Sequence, residues 1–358
     1  MEPLCAFVYS SNLKINSMKE STKLFTCCGL MGMLLLTSCS EDTMDASSSV
    51  PDIAQHSSFE LVSAQDGPIH ITAKSDADLT GKRANKAGGN DRGRFNITLR
   101  YLVDLSDRQL EVFESAAARW EEIIIQDVPS ITGTIPSAFA GVPPIIDGGT
   151  IDDIVIEVVV APIDGPGRIL GQAGPRFTRS ADNLTVTGIM FFDSADLASL
   201  DDRGLFENVI VHEMGHVLGI GTLWNSGGRS LRQGPDTNPY FTGKMANVHW
   251  NAEGGEDELP IENIGGPGTA LGHWRESLLQ NELMTGFINL GVNPLSRITA
   301  GSLRDLGYGA AIRGEQYDLP KGTPGVDISD LDGNNSDMGL YIADMEQLLE
   351  PIGVIDME

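Results

Sequence analysis

The sequence predicts an α+β fold, a twisted mixed sheet with helices packed on it. Three observations carry that expectation. Residues 95–102 alternate apolar and polar positions, while 154–161 (Ile-Val-Ile-Glu-Val-Val-Val-Ala) and 185–192 (Thr-Val-Thr-Gly-Ile-Met-Phe-Phe) are runs of β-branched and apolar residues. Helical periodicity follows Ser106 and returns in 205–218. The order is strand, helix, strand, strand, helix.

Taken in order, Ser106 is placed to cap a helix whose apolar face is Leu110, Phe113, Ala117, Trp120 and Ile124. Pro129, Pro136, Pro143 and Pro144 interrupt the next stretch. A Gly/Pro-rich loop is expected between the strands at 154–161 and 185–192. Asp193, Asp196, Asp201 and Asp202 then lead into the helix at 205–218, which Gly219 is suited to end. Residues 225–272 read as a long loop, and loops of that length inside a domain are usually functional. A last helix is expected over 299–306, stopping at Gly307.

Composition sets limits. Lys and Arg total 24 against 50 Asp and Glu, a net charge of −26, which repels nucleic-acid phosphates and suits an exported protein. All four cysteines (Cys5, Cys27, Cys28 and Cys39) precede residue 40, so the rest of the chain can form neither a disulfide nor a cysteine metal site.

Residues 1–39 read as a lipoprotein-type signal peptide. Lys19 and Lys23 lead into an apolar run over 24–36, short for a membrane span. Leu36-Thr37-Ser38-Cys39 resembles a bacterial lipobox, with Cys39 as the lipidated residue; an ordinary cleaved signal is the other reading. Met18 is an alternative start to Met1. The expected location is the outer membrane or cell surface through a lipid anchor, or secretion. The expected state is a monomer. Residues 40–92 read as a pro-segment or flexible tether, with Asp66 and His70 as the candidates for any latency ligand. Residues 93–310 read as the folded domain, which the motifs below make the expected catalytic domain, and 311–358 as an acidic C-terminal tail. Within that tail 330–337 resembles part of a calcium loop, although position 341 is Tyr where an EF-hand needs a bidentate Glu.

The chemistry concentrates in Val209-Ile-Val-His-Glu-Met-Gly-His-Val-Leu-Gly219. Residues four apart share a helix face, so His212 and His216 can close on one metal ion, and Glu213 can reach a water on that ion. With no cysteine to hand, zinc ligands must be His, Asp or Glu. A catalytic zinc takes three protein ligands and leaves one position open. In the metzincin pattern the third His would stand at 222, which is Thr. The only downstream histidines are His249 and His273. A helix with two surface histidines and no metal is the bland reading.

Three motifs together resemble the leishmanolysin family of zinc endopeptidases: Val-His-Glu-Met-Gly-His-Val-Leu-Gly-Ile-Gly over 211–221, Gly-His-Trp-Arg-Glu over 272–276, and Glu-Leu-Met-Thr-Gly over 282–286. In that family a long insertion separates the helix-ending glycine from the third histidine. The resemblance covers about residues 93–310 and implies a metzincin-like fold with an active-site helix and a C-terminal subdomain bearing a Met-turn. It implies His212, His216 and His273 as zinc ligands, Glu213 as the base and Met284 as the turn methionine, with His249 the rival third ligand. Glu276 and Glu282 flank this region and read as solvated loop carboxylates, the alternative being partners that orient an imidazole. The expected activity is hydrolysis of peptide bonds in protein or peptide substrates by a water that Glu213 activates on one zinc ion. Calcium is a candidate second ion. Disulfides and latency through a propeptide cysteine, both features of the best-known members, are closed to this chain. The alternatives are an inert surface binding or adhesion lipoprotein on the same zinc fold, and a gluzincin-type peptidase with Glu as third ligand.

Overall fold

Local sequence preferences and burial agree along most of the chain. In the computed structural model the described residues are 59–65, 69–70, 73–74, 94–317, 338–342 and 345–356. They all fall in the unit Pro51–Glu358.

β1 (Ile69–His70) and β2 (Ala73–Lys74) are two-residue strands. β3 (Ile97–Tyr101) precedes α1 (Asp107–Ile123). Ser106 caps α1 through a capping box with Gln109 that satisfies backbone donors on both sides. β4 (Ile131–Ile135) and β5 (Ile146–Ile151) form an antiparallel pair. Then come β6 (Ile154–Ala161), β7 (Gly171–Arg179), β8 (Thr185–Asp193), α2 (Ser194–Asp202) and α3 (Phe206–Val217). Beyond α3 lie β9 (Arg232–Gln233), β10 (Tyr240–Phe241), α4 (Lys244–Ala252) and β11 (Leu259–Pro260). α5 (Glu276–Leu279), β12 (Phe287–Asn289) and α6 (Arg297–Leu306) follow. The last strands are β13 (Gly339–Tyr341), β14 (Glu346–Leu348) and β15 (Gly353–Asp356).

The main sheet is mixed and runs β1-β15-β7-β8-β6-β3, with β14 also paired to β7. β3, β6 and β8 are mutually parallel, and β7 runs against β8. β14 and β15 both lie parallel to β7. β6 is buried on both faces, hence a sequence that is apolar apart from Glu157, whose buried carboxylate accepts from Arg100, Ser137 and Ala138 N. Ile156 and Val158 face one core with Val112, Phe113 and Trp120 of α1 and Val209, Ile210 and Met214 of α3. Val155 faces a second cluster with Ile131, Ile151 and Phe177. Each large side chain fully buried there contributes about 1.5–3 kcal/mol.

The structure departs from the sequence reading in four places. The Gly/Pro-rich stretch after Ala161 contains β7, one of the longest strands described; its register shifts beside Pro175, where a ladder donor is missing. The proline-broken stretch contains β4 and β5. The long loop 225–272 carries α4 and three short strands. Residues 339–356, assigned by sequence to the acidic tail, supply β13 to β15 and so belong to the fold. Cys39, Asp66 and the calcium-like turn 330–337 lie outside the described residues, as does the side chain of His70. No helix among the described residues is long and apolar enough to cross a membrane.

Candidate metal centre

α3 is buried along nearly its whole length, and His212, Glu213 and His216 are each 0 % exposed. Two features dock it. The Trp120 indole Nε1–H donates to the Val211 carbonyl at 2.9 Å. At Gly188 of β8, a Cβ would stand 2.2 Å from Val217 Cγ1, so glycine lets the end of the helix lie on the sheet.

The helix closes in a way that brings a distant loop to it. Gly219 has φ 111° and Gly221 φ 78°, both in the left-handed region. A Cβ on Gly221 would lie 2.2 Å from the Gly272 carbonyl oxygen, so this glycine admits the backbone immediately before His273. Thr222, at the position where a histidine would complete the short metzincin pattern, instead donates its hydroxyl to the His216 carbonyl at 2.7 Å. Trp274 holds the next residue down: it stacks on Trp224 at 4.8 Å, and its Nε1–H donates to Thr299 Oγ1 at 2.8 Å.

The result is a convergence of three imidazoles. The Nε2 atoms of His212 and His273 are 2.9 Å apart, those of His216 and His212 2.9 Å, and those of His216 and His273 3.0 Å. Each ring spends its other nitrogen on a backbone carbonyl. His212 Nδ1–H donates to Leu283 O at 2.7 Å, His216 to Ile220 O at 2.9 Å and His273 to Thr269 O at 3.0 Å. Carbonyls only accept, so the proton sits on Nδ1 and every Nε2 presents a lone pair to the same point. Three lone pairs that close need a cation between them. Neutral imidazoles suit zinc, whose bonds of about 2.0–2.1 Å readily bridge such spacings.

Two carboxylates complete the centre. Both oxygens of Glu213 are buried without a hydrogen-bond partner. Burial, reinforced by the negative charge of Glu346, pushes the Glu213 carboxyl well above its usual range. Glu346 reaches in from β14, with Oε1 3.2 Å from His273 Nε2 and Oε2 3.4 and 3.8 Å from those of His212 and His216. Burial opposes its ionisation, but the imidazoles of His273 and His212 hold its carboxyl below the usual range. His212 and His216 are depressed, chiefly by burial, while Glu346 overcomes burial and raises His273.

A family model described as leishmanolysin, peptidase M8, matches residues 124–313, more than half of the chain. This protein belongs to the leishmanolysin family. It is 24% identical to "Leishmanolysin" from Leishmania donovani over 305 residues, which is 81% of this chain and 47% of that protein. It is 30% identical to a "Leishmanolysin homolog" from Crithidia fasciculata over 165 residues, 44% of this chain and 24% of the relative. The chain thus spans less than half the length of these leishmanolysins. The matched stretch includes His212, Glu213, His216, His273 and Met284 and ends before Glu346.

The structure brings together the three histidines singled out by the leishmanolysin resemblance and leaves His249 out. His249 sits partly exposed on α4, among Arg297, Glu253, Arg304 and Asp305. Met284 is buried with its sulfur toward Gly215, and the turn containing it presents the Leu283 carbonyl to His212. The reading of Glu276 and Glu282 as solvated is overturned, because both are 0 % exposed. Glu282 takes hydrogen bonds from Met284 N, Ser296 N, Ser296 Oγ and Thr299 Oγ1, tying the turn to α6. Glu346 was invisible to sequence reasoning. It lies in Met345-Glu-Gln-Leu-Leu-Glu350, whose residues have no metal-binding spacing, and only the fold carries it to the centre.

Proposed function

We propose that this chain is a zinc-dependent endopeptidase in which His212, His216 and His273 hold one zinc ion and Glu213 is the catalytic base. The reading is supported most directly by the three Nε2 atoms within 3.0 Å of one another beside a buried carboxylate that has no hydrogen-bond partner. Zinc at such a centre supplies a Lewis acid that lowers the pKa of a water and polarises a carbonyl. The chain's own groups do the rest. Glu213 takes the proton of the attacking water and returns it to the leaving amine, and a cation beside it offsets the burial that favours its protonated form. The backbone carbonyls of Leu283, Ile220 and Thr269 keep the three rings in one tautomer and one orientation. Met284, as the turn methionine, packs beneath the centre and takes no part in proton transfer.

A second reading, an inert binding lipoprotein with a closed zinc site, draws on the approach of Glu346. Glu213 weighs against it. A structural zinc has no use for a second buried carboxylate, and leaving one unpartnered is costly. In the peptidase reading residues 1–39 direct export and Cys39 carries the lipid, on the strength of their sequence alone. Casein digestion with and without a chelator tests the activity. Glu213→Gln should retain zinc and lower cleavage about a thousandfold; cleavage near the parent rate removes Glu213 as the base.

A further inference from the structure

We infer that Glu346 is a fourth protein ligand of the metal and that the C-terminal segment 345–356 is a built-in inhibitor of the centre it crosses. The inference rests on the zinc peptidase reading and adds its regulation. The distances carry the first part. Four donors around a tetrahedral zinc stand about 3.3 Å apart, given bonds near 2.0–2.1 Å. The Glu346 carboxylate lies over the three Nε2 atoms, with Oε1 3.2 Å from that of His273 and Oε2 3.4 and 3.8 Å from those of His212 and His216, which puts its oxygens at the range of a fourth donor. The carboxylate is 0 % exposed and is steadied by the Thr269 hydroxyl, which donates to Oε1 at 3.1 Å. Thr269 also accepts from the His273 ring through its carbonyl. A single residue thus orients both an imidazole and the carboxylate that covers it.

The backbone carries the second part. An extended peptide bound to a sheet gains its affinity by pairing with an open edge. Here the edge of β7 away from β8 is taken by the chain's own C-terminal segment. Leu170 N donates to Met345 O at 2.7 Å, Leu349 N to Ala173 O at 2.8 Å, Ile352 N to Arg176 O at 2.9 Å and Ser180 N to Ile355 O at 2.9 Å. The fit is close. A Cβ at Gly174 would lie 2.2 Å from Leu349 O, and one at Gly272, beside His273, 2.5 Å from Leu348 Cδ1. On its other side the same run of chain begins at β13, paired with β12 just after the Met284 turn. β13 thus lies beside the turn and β14 at the sheet edge, where β14 carries Glu346 to the histidines. The metal's fourth position, and an edge to which an extended peptide could add, are both freed only when this segment is displaced or cut away.

The test uses the full chain loaded with cobalt(II) in place of zinc. Its visible absorption is recorded with and without millimolar acetohydroxamate for the wild type, Glu346→Gln and Glu346→Ala. Glutamine keeps the side-chain volume, so it reports even if the alanine variant does not fold. The wild-type spectrum should ignore acetohydroxamate, both variants should respond, and with zinc restored the variants should cleave casein about tenfold faster or more, as expected on removing a tethered competitor. A wild-type spectrum that responds like the variants' overturns the proposal. Split spectra with no cleavage by either variant would leave the ligand standing and remove the peptidase reading. Equal spectra with equal chelator-sensitive cleavage would do the reverse.

Discussion

Met284 and Gly215 are in contact across the centre: a Cβ at 215 would lie 2.8 Å from Met284 Sδ and 2.9 Å from Trp120 Cζ2. Glycine in the middle of α3 is therefore a packing requirement, set by a turn 69 residues later in the chain and by a helix on the other side. The turn matters because its preceding residue, Leu283, holds the His212 ring.

Gly215→Ala gains up to about 1 kcal/mol of helix propensity. It must also displace Met284 and the Trp120 ring, and the ring is fixed by its bond to Val211 O. Overpacking of this kind costs about 1–3 kcal/mol, so the net effect should be a loss of about 1 kcal/mol together with weaker zinc binding. Urea denaturation with zinc titration reads both. A stabilised variant with unchanged zinc affinity would show that the contact does not constrain the site.

His273→Ala should lower zinc occupancy about tenfold or more, and His249→Ala should leave it unchanged. Metal analysis after dialysis against a weak chelator separates the two. The opposite ranking would move the third ligand to α4.

Glu282→Gln removes the charge from a carboxylate that accepts four hydrogen bonds while fully buried. The amide retains one accepting oxygen and brings two donors into a site already filled with donors. The expected loss is about 2–4 kcal/mol of unfolding free energy. A change within about 0.5 kcal/mol, the range of ordinary surface substitutions, would mean these bonds are dispensable.

At about pH 6 zinc binding should release about one imidazole proton, since ligands must bind deprotonated, where three ordinary histidines would release about two. The sign follows from the shifts. Burial depresses His212 and His216 and so favours their neutral form, whereas Glu346 raises His273, which is therefore the first of the three to gain an Nε2 proton as pH falls and the one that must give it up to the metal. Calorimetry in buffers of different ionisation enthalpy counts the protons. The Glu213→Gln background keeps that carboxyl out of the count. Release of two or more would show that the rings titrate as ordinary histidines.

The sequence was most legible where function depends on local spacing. His212, Glu213 and His216 needed only the helical repeat and a stop signal at Gly219. His273 lies 57 residues beyond His216, and family resemblance was required to choose it over His249. β6 and β8 were readable because burial on both faces leaves them mostly apolar, with Glu157, Thr185, Thr187 and Asp193 the polar exceptions. β7 was not: Gly171, Gly174 and Pro175 mark a strand that accepts a close neighbour, and the same residues ordinarily signal a turn. Glu346 depends on pairing between β14 and β7, across more than 170 residues, and no periodicity in a single chain encodes that.

The contact of Gly221 with the Gly272 carbonyl has an evolutionary consequence. It pins together the two ends of the excursion formed by residues 222–271, where Thr222, Trp224 and Thr269 also brace the histidine-bearing segments, so the spacing of the histidines is set at the base of the excursion and not by its middle. Closing a longer loop costs little, about 0.6 kcal/mol for each doubling. The middle of the excursion, between Trp224 and Thr269, is thus a natural place for insertion or replacement, free to diverge in length while the chemistry at its base stays put.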